Sequence, residues 1–168
     1  MAKTNVEVNE VEVTGIPTNV EEQEYDLLTG LLEAAGYKQT VTAVDVKRNG
    51  KRMFTFHIHP ISESDTATAR KKATSYMPNP AGKNLPPIEK DADISLYRSW
   101  KIFLATTDED KQLIWGNKEL KAKLNIIQSI ETVDALLTAG EKDAICDLID
   151  EISGFGSDNV SVEEFAKN

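Results

Sequence analysis

Two runs rich in β-branched and aromatic residues, at 40–47 and 51–59, flank Arg48-Asn49-Gly50. Few features restrict a fold as tightly. Asn and Gly both tolerate positive φ, so the pair suits a tight turn whose twist matches that of paired strands, and a β-hairpin follows. In the second run Phe54, Phe56 and Ile58 alternate with Met53, Thr55, His57 and His59, so one face is apolar and has to meet a helix. Two strands alone are marginal, which predicts at least a third. Residues 6–13, with valines among Glu and Asn and a one-residue shift at Asn9-Glu10, are the candidate.

Elsewhere the periodicity is helical. Residues 132–155 place Val133, Leu136 and Leu137, then Ile145, Leu148, Ile149 and Ile152, at steps of three and four, which marks one buried helix face. Ala139-Gly140-Glu141 predicts a glycine-capped corner between two helices. Ser153-Gly154-Phe155 predicts a second glycine cap, with Phe155 folded back near Ile149. This helical hairpin shows no catalytic polar group on its inner face. Near the N-terminus, Thr18 or Asn19 can cap a helix that starts in the acidic residues 21–24. It carries Tyr25, Leu27, Leu28, Leu31, Leu32 and Ala35 on one face and ends at Gly36.

Ser62-Glu63-Ser64-Asp65 offers N-caps for a helix running to about Tyr76. Four prolines and a glycine within 77–87 then make an exposed connection, the best candidate for a hinge or mobile loop. From Asp91 the chain reads helical. Trp100 stands among Ile94, Tyr97, Ile102, Phe103 and Leu104, and a Thr107-capped helix carries Leu113, Ile114, Trp115, Leu120 and Leu124, broken near Gly116-Asn117. The fold class is therefore α+β: a small antiparallel sheet, the hairpin at about 40–59 plus an N-terminal strand, packed on helices, then an all-helical C-terminal half. The division is 1–90 (α+β, with the proline-rich loop), 91–155 (helical) and 156–168 (a flexible tail).

Nineteen basic residues against 28 acidic give a net charge of −9. A field of that sign repels phosphate backbones and anionic lipid, which counts against nucleic acid and membrane as partners. The single cysteine, Cys146, allows no internal disulfide. With no apolar signal core and no run near about 18 apolar residues, a cytoplasmic protein is expected.

The candidate chemistry is thin. His57 and His59 lie on one strand face, but no nearby Cys or carboxylate completes a metal shell. Asp108, Asp110, Gln112 and Glu119 match calcium-loop positions, yet Leu113 stands where the loop requires glycine. Gly82-Lys83 lacks the remaining residues of a phosphate loop. Cys146 beside Ile145 reads as a packed thiol, and Asp143, Asp147, Asp150 and Glu151 as an acidic surface. Arg70-Lys71-Lys72 is a basic turn that can touch an acidic partner, although a solvated helix face is the favoured reading. No catalytic, cofactor or metal site is expected, and no enzyme signature survives.

Several stretches, in order, resemble phage tail assembly chaperones of the XkdN-like family. In front are residues 51–56 after Asn49-Gly50, then His59-Pro60-Ile61-Ser62-Glu63 and Ala69-Arg70-Lys71-Lys72-Ala73-Thr74. Behind them, residues 104–108 are similar to an "A-T-V-x-P" segment, and residues 136–141 with 152–155 to a closing "L-L-x-x-G-E … I-x-x-S-G-F". The likeness covers about residues 40–155 and leaves the first 36 outside. It implies a non-enzymatic protein of the host bacterial cytoplasm, in a phage, prophage or phage-tail-like particle, that binds the tape-measure protein and holds it soluble until the tail tube polymerises. It also implies absence from the finished particle, with the tail-tube protein and a second copy of the chain as further candidate partners. Two other classes remain open: a structural tail or baseplate-associated protein retained in the particle, and a small enzyme with an unfamiliar site. The candidates for gripping the partner are Leu136, Leu137, Phe155 and Trp115, each of which reads more readily as core, with the basic Arg70, Lys71 and Lys72.

Overall fold

The structure is a computed structural model that describes residues 26–37 and 39–156. The strand expected at 6–13, the helix start at 18–25 and the tail at 157–168 lie outside the described residues.

Asn49 (φ 52°) and Gly50 (φ 73°) both adopt the left-handed conformation that the tight turn requires. They join β1 (Thr42–Arg48) to β2 (Lys51–Ile58) in an antiparallel pair. The register runs from Thr42↔Ile58 to Val46↔Phe54 and resumes at Lys47↔Arg52, which leaves Met53 as an extra residue in a bulge. Val44, Val46, Phe56 and Ile58 are buried on one face, while Met53 and His57 on the other are exposed. Part of the support a lone hairpin lacks comes from the segment 105–107. Thr106 bridges Ile58, His59 donates its N–H to Ala105 O (2.8 Å) and Thr107 donates to His57 O (2.9 Å).

Helix α1 (Leu27–Tyr37) starts at Asp26, whose carboxylate accepts the N–H groups of Leu28 and Thr29 (3.3 Å each), and continues one residue past Gly36. Helix α2 (Glu63–Ala73) opens with Ser62 and Asp65 capping each other reciprocally. It ends three residues short of the expected Tyr76, at Thr74, whose extended backbone leads into a second small sheet. There β3 (Tyr76–Met77) pairs with β4 (Ile88–Glu89). The proline-rich stretch, expected as an exposed connection, is closed at its base by this pair. Lys90 N–H bonds Ser75 O (2.9 Å), and the Asn79 side chain spans the loop, accepting from Ala81 N–H (3.0 Å) and donating to Pro86 O (3.2 Å).

The rest is helical. Asp93 caps α3 (Ile94–Ala105) by accepting Leu96 N–H at 2.9 Å. A short α4 (Asp108–Asp110) widens into a π-helical turn, Lys111–Trp115, and Gly116 N–H reaches back to Lys111 O at 2.7 Å. A Cβ on Gly116 would sit 3.1 Å from that oxygen, so a larger residue there makes the turn shift by a few tenths of an ångström. Then come α5 (Lys118–Leu124), α6 (Ser129–Leu136) and α7 (Ala139–Ile152). Trp115 is fully buried at the end of the π turn. Its indole N–H donates to Thr106 Oγ1 (2.9 Å), and its ring stands edge-on to Phe56 at 5.3 Å. One apolar cluster runs from Val44 and Phe56 through Ile102 and Val133 to Ile145 and Ile149, so the apolar face of the hairpin does meet helices. No helix of the described residues is long and apolar enough to cross a membrane.

The corner between α6 and α7 differs from expectation. Gly140 has no left-handed φ and lies inside the first turn of α7. Leu137 ends α6 in an extended conformation, and Thr138 starts α7 in a capping box with Glu141. The second glycine cap is as expected: Gly154 has φ 83°, Gly154 N–H bonds Glu151 O (3.1 Å) and Phe155 N–H bonds Asp150 O (2.9 Å). That double bond pattern is a Schellman end.

Candidate partner-binding surface

Two motif pieces far apart in sequence meet beyond the end of β2. Pro60 takes the chain out of the sheet, and Ile61 N–H donates to Ser153 Oγ (3.0 Å), joining the "P-I-S" turn to the "S-G-F" end of α7. The Schellman end then turns the chain so that Phe155 stays 48% exposed, while Ile149 is fully buried. With Ala34 and Tyr37 at the end of α1, these segments line a groove of about 830 Å³. Tyr37, Pro60, Ile61, Ile152 and Phe155 make its apolar part, and the Ser62–Asp65 helix start its polar part. Leu27, Leu28, Leu31 and Leu32 on the same α1 are 57–64% exposed, and no residue of that helix is buried. Soluble proteins seldom leave four leucines clustered in water without a use for them.

Polar clamps tie α7 to the hairpin and to α3. Arg48 binds Glu141 with two parallel contacts (2.8 and 2.7 Å) and donates to Leu136 O (2.7 Å), fastening the β-turn to the α6–α7 corner. The guanidinium bonds to Glu141, and the Thr138 bonds add to them, so its carboxyl falls to about 2. Lys101, nearly buried on α3, meets Asp150 at 2.6 Å, in the turn that receives Phe155 N–H. Arg98 pairs with Asp143. Two members of the expected acidic surface are therefore neutralised by α3, while Asp147 and Glu151 remain exposed.

The inner face of the closing helices is not purely apolar. Lys142 is 2% exposed, and its ammonium reaches Ser95 Oγ (2.7 Å), Ser99 Oγ (3.2 Å) and Asp134 (2.5 Å), tying α3, α6 and α7 together. The signal was available: Lys142 precedes Ile145 and Ile149 by three and seven residues, on the buried face. Cys146 lies in the core, and burial pushes its thiol up to about 11.

The sequence-derived contact residues divide. Phe155 is on the groove. Arg70, Lys71 and Lys72 are exposed at the end of α2, with the Lys72 ammonium 5.1 Å from the Trp100 ring centre. Leu136 is half-buried, whereas Leu137 and Trp115 are core residues that support the surface from behind. The histidines part company: the His57 ring faces Asp110 at 2.9 Å, and the His59 ring faces Pro60 O at 2.9 Å. Among the described residues no group of three His, Cys, Asp or Glu side chains could hold a metal ion. The exposure of α1 was not foreseen, because its leucine stripe looks like that of any packed helix.

The described residues make a braced α+β scaffold that presents an apolar groove and a helix with exposed leucines. In comparison with family models, residues 27–167 match the phage XkdN-like tail assembly chaperone protein, and the chain belongs to that family. The match takes in α1, beyond the 40–155 span carried by the motifs. Neither the curated proteins nor the solved structures compared with the chain give a match.

Proposed function

We propose that this protein binds the tape-measure protein of the tail and keeps it soluble until tail-tube subunits polymerise around it, without catalytic chemistry of its own. The observation that carries this reading is the meeting of the two motif pieces, through Ile61 and Ser153, beside an α1 whose leucines are uncovered. A long apolar helix in water needs a complementary apolar surface, and a groove flanked by an exposed leucine helix offers one. The net charge of −9 keeps such a complex dispersed. The protein then acts in the host cytoplasm and leaves before the particle is finished; the tail-tube protein is a second partner, at the point of hand-over.

Co-expression with the tape-measure protein tests the reading. The partner alone is insoluble and becomes soluble as a complex; unchanged solubility sinks the proposal. Mass spectrometry of purified particles separates it from a structural tail component, since abundant copies there would favour the latter.

A further inference from the structure

The hairpin has one edge in use and one open. On β2, His57 donates its N–H to the Asp110 carboxylate (2.7 Å) and its carbonyl accepts Thr107 N–H (2.9 Å), so both groups point away from β1. In an antiparallel ladder, facing residues either bond each other or both turn their backbone groups away. Ala43 stands opposite His57, and Asp45 opposite Thr55 two residues along, in an unbroken register. The N–H and C=O groups of Ala43 and Asp45 therefore face outward, and among the described residues β1 pairs with β2 alone. Beside that edge a groove of about 290 Å³ runs between β1 and α7. Ala144, exposed, and Leu148, half-buried, line its helix side, and Val44 and Val46 its strand side. On the solvent face of the hairpin, Lys47 and Arg52 share one carboxylate, Asp45, at 3.8 and 3.3 Å.

We infer that residues 6–13 of this chain add to the open edge of β1 as a third strand, with their valines toward Ala144 and Leu148 and their glutamates toward Lys47 and Arg52. Once the one-residue shift at Asn9-Glu10 is taken up by a bulge, Val6, Val8, Val11 and Val13 share one face, with Glu7 and Glu12 on the other. The apolar face matches the groove, and the acidic face matches the two cations that divide Asp45 between them. The reach is sufficient. Helix α1 and the turn after it keep Asp26 within about 35 Å of Thr42, and residues 14–25 span up to about 40 Å when extended. A third strand also shields an edge that otherwise invites pairing with strands of other molecules. The family match begins at residue 27, so this strand is an addition by the chain's own N-terminal arm. It is independent of the chaperone role.

The test is amide hydrogen exchange of the full chain, read residue by residue by NMR. The N–H groups of Ala43 and Asp45, which have no acceptor among the described residues, exchange at least about a hundredfold more slowly than free amides. In the variant Val6→Ser/Val8→Ser/Val11→Ser/Val13→Ser these two return to nearly free rates, while Val44 and Phe56, bonded to each other within the β1–β2 ladder, keep their protection. Free rates at Ala43 and Asp45 in the wild-type chain would overturn the inference, as would protection that survives the four substitutions. Protection that appears only as the protein dimerises with rising concentration assigns the edge to a second copy, and protection that appears only with the tape-measure protein assigns it to that partner. Either result also overturns the inference.

Discussion

Arg48 closes β1 and, through Glu141 and Leu136 O, reaches across to the start of α7. Its partner titrates accordingly. The folded-state value of Glu141, about 2, lies below its ordinary 4.5, so its contribution to stability is complete above about pH 4.5 and is lost as the pH falls toward 2. Urea unfolding of Glu141→Gln, followed from pH 6 to about 2, should show a flatter loss over that window than wild type; parallel curves would contradict the account. Lys142 poses the opposite question, a buried charge held by an exposed carboxylate. Asp134→Ala strips the ammonium of its counter-charge, whereas Lys142→Met removes the charge and fills the space. The first should destabilise by about 1–3 kcal/mol and the second by less, measured by urea denaturation; the reverse order would refute the clamp.

Among the elements, the π turn at Lys111–Trp115 sets the geometry of the core. It brings Trp115 under the hairpin beside Phe56 and closes on Gly116. Gly116→Ala forces a Cβ against Lys111 O and should lower stability by about 1–3 kcal/mol in urea unfolding; a neutral result would show that the turn relaxes freely. Elements with local signatures were legible in the sequence: the Asn49-Gly50 hairpin, the break at Gly116-Asn117 and the Gly154 cap. The α6–α7 corner was misread because two capping chemistries compete there. The Thr138–Glu141 box won, and Gly140 simply continued the helix. The β3–β4 pair was not read because two-residue strands leave no periodicity to detect, and Asn79 braces the loop through contacts no pattern announces. Of the candidate contact residues, Phe155 lines the groove and the basic turn is exposed. Trp115 and Leu137 are core, the reading favoured for apolar residues at helical spacing, which look alike whether they face core or partner.

At the scale of the molecule, apolar side chains fall into two populations. One packs from Val44 to Ile149 around Trp115; the other, on α1, the groove rim and the ribbon, stays in water. A helix of 11 residues is marginal by itself, so α1 gains from being covered. In the proposed complex the exposed leucines of α1 are the contact. The most direct measurement is the soluble fraction of the tape-measure protein when co-expressed with wild type or with Leu28→Asp/Leu32→Asp/Phe155→Asp, whose substituted side chains are all exposed. The account predicts that wild type keeps the partner in solution and the triple variant, with unchanged thermal unfolding, leaves it in the pellet. Equal soluble fractions with the two proteins would contradict it.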